Sequence, residues 1–409
     1  MRSALFLIKI SAMRFKTGAA PPIIMAKRVL IILRRLNIGG IQTQTALLAG
    51  EFLRRGCGVT VLVQKKEHSG RLAVKLPEGC EVYCRDFDRV SKLSPLSGLA
   101  RLLLAPFSTL LLGKVGNTFV PGYFISSLTE KFIGRLEKEK GSFDLILIRG
   151  EGAIEPLWGL RHKNLWNVVE GAVPDFSRNR FTRRFAGLIF GGKNIVCVSG
   201  GETETLRSAL SKTGVRPARI ETILNFISPD YVKERSLEDL PDLPEPGYLV
   251  TVGRLSPIKN QQLSIRALTH LPESVRLVLV GDGSSRAELE SLAESLGVRS
   301  RCFFVGNQAN PYPYIRRAAM LVHTSRHEAF GMVIAEALVL GKPLAVTRAT
   351  GGICTILRGP LQHSVTEPDE YALAKRISEV LESGETPDTS VLADFSADNT
   401  AGRFLELSE

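Results

Sequence analysis

The chain has 409 residues, too many for one ordinary hydrophobic core and enough for two domains of about 150 to 200 residues each. Hydrophobic residues make up 44% and charged residues 23%, and every apolar run is broken by charges or breakers before it could span a bilayer, so a spanning helix is not supported. The six cysteines (57, 80, 84, 197, 302, 354) form no C-x-x-C pair, which argues against a structural zinc site and a secreted disulfide framework and fits a reducing cytoplasm; the net charge of +12 calls for an acidic partner without choosing among nucleic acid, anionic lipid and a phosphorylated or carboxylated acceptor.

Residues 1–24 hold a short apolar run, Ala4 to Ile8, followed by Lys9 and Arg14, and make a poor signal peptide; we expect an over-called start with weak order, the enzyme-like text opening at Met25. Val29 to Leu33 is a continuous β-branched and leucine run, the pattern of a strand buried on both faces of a parallel sheet. The loop NIGGIQTQ, a helix over Thr45 to Leu53 and a strand over Val59 to Val63 complete one β-loop-α-β unit. Leu99 to Gly113 is apolar but contains Arg101 and Pro106, and reads either as a core helix or as a face lying in one lipid leaflet. Further strands are expected at 144–148, 166–169 and 194–199, with a capping box, Ser199 and Glu202, opening the next helix.

The proline-rich PDLPEPG, 241–247, reads as a hinge between an N-terminal domain, 25–240, and a C-terminal domain, 248–409, whose last helix can return to the first domain. After the hinge a second strand series begins: YLVTVG, VRLVLVGDG, CFFVG, MLVHTS and PLAVT. The expected architecture is α/β, two facing Rossmann-like domains with parallel sheets and a cleft between them.

Ligands of open parallel sheets bind outside the carboxyl ends of the strands, which directs attention to four loops. Gly39 and Gly40 after the first strand offer close backbone approach to a phosphate, and equally form an ordinary turn. In VGRLSPIKN, Arg254 and Lys259 could grip a diphosphate as fork and point charge, or lie solvated. In H327-E-A-F-G-M-V-I-A-E336, a helix starting near Met332 leaves Glu328 in the loop and Glu336 one turn inside, with the N–H groups of Phe330, Gly331, Met332 and Val333 free for an anion. The bland alternative is an acid satisfying the helix dipole beside an exposed glutamate. The fourth loop, Thr350 to Gly352, is by itself a turn.

Together these residues resemble the retaining nucleotide-sugar glycosyltransferases of family 4, from about Met25 to the end and most strongly from Tyr248 to Leu357. The E-x7-E motif is met by Glu328 and Glu336, the V-G-R-L-x-x-x-K loop by Val252 to Lys259, and the N-terminal G-G loop by Gly39 and Gly40. The resemblance implies a GT-B fold, a UDP-linked sugar donor on the C-terminal domain, no metal requirement and a front-face displacement that retains configuration. It assigns Arg254 and Lys259 to the diphosphate, Glu336 to the ribose, Glu328 to the transferred sugar, Gly331 and Met332 to backbone contacts, and Gly253, Gly306, Asn307, Phe330 and Val333 to the rest of the donor site. Many relatives carry a histidine after the strand that here reads WNVVEGA; Glu170 stands at the approximate place and is expected to take a similar positioning role, while His162 in a basic cluster reads as solvated.

Basic residues among aromatics in the N-terminal domain, Lys131, Arg135, Arg161, Lys163, Arg183 and Lys193 among them, suit an anionic membrane surface or an acidic glycolipid. The expectation is a transferase building a lipid-linked glycan such as the lipopolysaccharide core, cytoplasmic and peripheral on the inner membrane, with no nucleic-acid partner. A sugar-nucleotide epimerase of the same fold and a non-enzymatic basic nucleic-acid-binding protein are the alternatives; the latter lacks a helix-turn-helix or aromatic strand motif.

Overall fold

The structure, a computed structural model, describes residues 27–37, 39–65, 74–92, 103, 116–173, 175–239 and 245–409. The leader 1–24, nearly all of the apolar stretch 99–113 and hinge residues 241–244 lie outside the described residues. By contacts the chain divides into two units. The first takes the described residues up to Val198, then Leu206–Ile223 and Asp398–Glu409; the second takes Ser199–Thr205 and Leu224–Ala397. The segment 224–239, expected in the N-terminal domain, thus packs with the second unit.

The first unit is built on strands β1 (Arg28–Leu33), β2 (Gly58–Val63), β3 (Glu81–Cys84), β4 (Leu145–Arg149), β5 (Leu165–Val169), β6 (Asn194–Cys197) and β7 (Arg219–Thr222). They pair in parallel in the order β3-β2-β1-β4-β5-β6-β7. Val29 to Leu33 are at most 1% exposed, as a run without polar alternation requires when helices cover both faces. The helix after β1 spans Gly40–Arg54, starting five residues earlier than its apolar periodicity suggests, with polar Gln44 buried ahead of the apolar positions. Its last turn is tied to the chain's final helix: Arg54 and Arg55 both reach Asp398, and Lys27 donates to the Leu405 carbonyl.

In the second unit β8 (Leu249–Val252), β9 (Leu277–Val280), β10 (Cys302–Gly306), β11 (Met320–His323), β13 (Leu344–Thr347) and β15 (Val365–Thr366) form a parallel sheet in the order β10-β9-β8-β11-β13-β15. Two short strands that follow β11 and β13, β12 (His327–Glu328) and β14 (Thr350–Gly351), pair separately. In each main sheet successive strands run outward one way and then the other, with reversal between β1 and β4 and between β8 and β11, so each sheet has one switch point. Among the described residues no helix is long and apolar enough to cross a membrane.

The turns after β8 and β9 lie so close that a Cβ at Gly281, whose φ is +142°, would collide with the Gly253 carbonyl. Gly281→Ala is therefore expected to cost about 1–3 kcal/mol of stability, read as a lower urea midpoint. An unchanged midpoint would contradict this close packing of the two turns.

Candidate functional site

Two loops meet at the switch point of the second sheet, 253–259 after β8 and 324–331 after β11. Backbone and side-chain bonds stitch them together: Arg326 N–H donates to the Ile258 carbonyl at 2.8 Å, and Thr324 Oγ1 to the Asn260 carbonyl at 3.0 Å. Asn260 holds φ at +53°, the left-handed region that asparagine tolerates better than most residues, and so turns the chain into the next helix.

The stitching brings charges together. Lys259 Nζ donates to Glu328 Oε1 at 2.5 Å, Ser325 Oγ donates to the same oxygen at 2.7 Å, and His323 Nε2 lies 2.9 Å from it. The histidine contact is poorly aligned for a hydrogen bond and brings the ring nitrogen within van der Waals reach of the carboxylate. Burial alone would push the Glu328 carboxyl up, but His323 and then Lys259 outweigh it and hold the group well below the usual carboxylate range. All three contacts fall on Oε1, and Oε2 takes none of the described contacts.

The backbone around Glu328 is fixed just as closely. Gly352 N–H donates to the Glu328 carbonyl at 2.6 Å and Ser199 Oγ to the Ala329 carbonyl at 2.5 Å. These carbonyls are thereby used before the helix Met332–Val339 begins, behind a left-handed Gly331 at φ +95°. Among the described residues no acceptor takes the N–H groups of Gly331, Met332 or Val333, so the helix start presents an anion-accepting end beside Glu328.

Glu336 sits one turn into that helix and accepts from Tyr312 Oη at 3.2 Å. Burial pushes its carboxyl up to about 7, with Tyr312 opposing the rise. Glu336 and Glu328 share no partner among the described contacts. Arg254 is exposed, and among the described residues its side chain has no hydrogen-bond or ion-pair partner. Gly253 ends β8; Gly306 ends β10, the edge strand, followed by exposed Asn307; Phe330 is buried, its ring edge-on to Phe395 at 5.2 Å.

In the first unit Gly39 precedes, and Gly40 begins, the helix Gly40–Arg54 at the end of β1. Glu170 follows β5 and is gripped through both oxygens by Arg149, the last residue of β4, with both side chains at most 2% exposed. The carboxylate expected beside the transferred sugar is therefore committed to an internal pair. Its own N–H and that of Gly171 donate to Glu151 Oε1 at 2.9 and 2.8 Å, and burial pushes the Glu151 carboxyl up to about 7. His162 is not merely solvated: its Nε2 lies 3.2 Å from Glu137 Oε1.

The expected capping box is half formed. Ser199 Oγ receives the Glu202 N–H at 3.1 Å, but the Glu202 side chain is fully buried, with Oε2 3.1 Å from His327 Nε2. His327 Nδ1 meets Thr350 Oγ1 at 3.0 Å, so this chain of contacts braces β12 against β14 from behind Glu328. Sequence reasoning passed over His323, Tyr312 and the Glu202–His327 contact. His323 had a signal, a titratable residue closing the buried strand that leads into the loop.

Two Rossmann-like α/β units with fully parallel main sheets give this chain the GT-B fold. Residues 232–390, which lie in the second unit, match the family described as glycosyl transferases group 1. A stretch of 132 residues is 36% identical to the lipopolysaccharide core biosynthesis glycosyltransferase LpsD of Rhizobium meliloti, covering 32% of this chain and 38% of that one. Another of 147 residues is 27% identical to the N-acetylgalactosamine-N,N'-diacetylbacillosaminyl-diphospho-undecaprenol 4-alpha-N-acetylgalactosaminyltransferase of Campylobacter jejuni, covering 36% and 40%. The matched stretches thus span about two fifths of the length of these curated relatives. Anabaena HepE, solved in complex with UDP-glucose, shares the fold over 93% of this chain and 98% of its own at TM-score 0.64 and 18% identity.

Because Lys259 compensates a nearly buried carboxylate, Lys259→Met is expected to destabilise the protein by about 1–2 kcal/mol, less than for a fully isolated pair since His323 remains. A depressed carboxyl contributes stability above its unfolded value near 4.5 and loses it as pH falls toward the folded value. The difference between wild type and variant should therefore be steady from pH 5 to 7 and shrink below 4.5 in denaturant titrations. A difference that grows on acidification would rule out this ion pair.

Proposed function

We propose that the protein is a retaining transferase of family 4 type that moves a sugar from a nucleoside-diphosphate sugar, UDP-linked, to a glycan or lipid-linked acceptor of the cell envelope such as a lipopolysaccharide core. The observation that carries this reading is the Glu328 carboxylate, held ionised with Oε1 saturated and Oε2 unused, beside a cation and a helix start with unpartnered N–H groups. An ionised oxygen without a partner accepts from neutral hydroxyls, and a sugar supplies them. Lys259 has three N–H donors, so it can keep one on Glu328 and turn another toward a phosphate, while Arg254 meets the diphosphate as a fork. Glu336, whose known partner is the Tyr312 hydroxyl, takes the ribose.

In this mechanism the bond from the anomeric carbon to the diphosphate oxygen breaks while the acceptor oxygen attaches from the same face. The acceptor's proton passes to the departing diphosphate. Arg254, Lys259 and the N–H groups of Gly331 to Val333 stabilise the charge that develops there, preorganised before the reaction, and the reading requires no metal. The family match and the UDP-glucose held by Anabaena HepE support the donor class. The basic residues of the first unit support an acceptor met as a peripheral protein at the cytoplasmic face of the inner membrane.

Glu336→Ala is expected to lower kcat/KM about 10-fold to 150-fold through lost hydroxyl contacts. Glu328→Gln should lower kcat while leaving affinity for free nucleoside diphosphate unchanged, because its sugar partner is missing from that ligand. Arg254→Ala should weaken the free diphosphate about tenfold. Calorimetry with UDP alongside turnover separates these roles; four folded variants, Lys259→Met included, that bind and turn over like wild type would place the donor site elsewhere.

A further inference from the structure

The transferase reading uses the carboxyl ends of the strands. At the other edge of the first sheet, where β5 and β6 begin, lies a cavity of about 320 Å³ lined by Leu160, Arg161, His162, Lys163, Lys193 and Asn194, among others. Its cations are not neutralised. Among the described residues neither Arg161 nor Lys163, both exposed, has a hydrogen-bond or ion-pair partner, and Lys193 Nζ donates only to the Leu160 carbonyl, at 2.6 Å. Two acids stand close by. Glu137 is engaged with His162 at 3.2 Å and with the Phe143 N–H at 3.0 Å, and Glu130 acts on Lys193 without an ion pair. Burial, and then the like charge of Arg161, push the half-buried Lys193 ammonium down to about 8, so the concavity works against its own charge as long as no anion enters.

We propose that this cavity is a binding site for a phosphate group, a phosphomonoester or phosphodiester, separate from the donor site. A carboxylate brings a single charge and two oxygens, too few for an Arg fork and two ammonium groups. Phosphate brings up to two charges and enough oxygens for all three donors. The volume is at the small end of ligand pockets, about 300–1,000 Å³, which suits a phosphate with its first substituent rather than a nucleotide sugar. The phosphate belongs either to a lipid headgroup or to a soluble molecule. The site does not depend on the transferase reading, since all its residues lie in the first unit.

The test is calorimetry with inorganic phosphate at constant ionic strength, run on full-length protein in an Arg254→Ala background to weaken the hold of the donor site on phosphate, with the variants below compared against that background. Lys193 supports the Leu160 carbonyl and its removal could disturb folding, so the variants are the exposed Arg161→Gln and Lys163→Gln. Each is expected to weaken phosphate about tenfold. Sedimentation with phosphatidylglycerol vesicles, against phosphatidylcholine, distinguishes the source. Loss of vesicle binding in the same variants identifies a headgroup, and unchanged vesicle binding with weakened phosphate identifies a soluble ligand; both support the site. Phosphate affinity equal in the background protein and both variants, or no phosphate binding by the background protein, overturns it.

Discussion

The second unit depends on keeping one carboxylate ionised while nearly buried. Desolvation works against Glu328 as an anion, and His323 and then Lys259 reverse that outcome, converging with the Ser325 hydroxyl on one of its oxygens. Convergence is possible because Lys259 comes from the loop after β8, and His323 and Ser325 from the end of β11 and the loop after it, which the parallel strand order places side by side at the switch point. The cost of desolvating Glu328 has already been met in the fold, so its other oxygen can bind a hydroxyl without a large reorganisation.

Support for that carboxylate extends outward through the backbone. The Glu328 and Ala329 carbonyls, four residues ahead of the next helix's first N–H groups, are taken instead by Gly352 and Ser199. A Cβ at Gly352 would collide with the Ala329 carbonyl, and one at Gly201 with the Gly351 carbonyl, so the turns that carry these glycines stack without side chains between them. Behind them, fully buried Glu202 faces His327, the residue preceding Glu328. One layer of contacts thus fixes the carboxylate and leaves a helix start open.

The inner strands were the legible part of the sequence, whereas the edge strands β3, β7 and β15, little buried or two residues long, carry no long apolar run and were not foreseen. Val29 to Leu33, Leu145 to Ile148 and Leu344 to Val346 are continuous apolar runs, and a run with no polar alternation is what a strand covered on both faces selects. The E-x7-E spacing placed Glu328 before a helix and Glu336 within it, and the helix does begin at Met332. What the spacing did not encode was partnership. Lys259 and Glu328 are 69 residues apart, and only the order β8-β11 makes them neighbours. Glu170 shows the same limit from the other side: its position after β5 is as read, but Arg149 at the end of β4 claims its carboxylate, because neighbouring parallel strands bring their last residues together. The two-residue strands β12 and β14 are too short for any periodic signal and exist only through tertiary pairing.

The most direct test is a crystal structure of the full chain with a nucleoside diphosphate bound. The account predicts density for the diphosphate within hydrogen-bond distance of Lys259 and the N–H groups of Gly331 to Val333, with Arg254 turned toward it and the ribose against Glu336. A diphosphate bound away from both loops of the second unit's switch point, with the Lys259–Glu328 pair untouched, would contradict it.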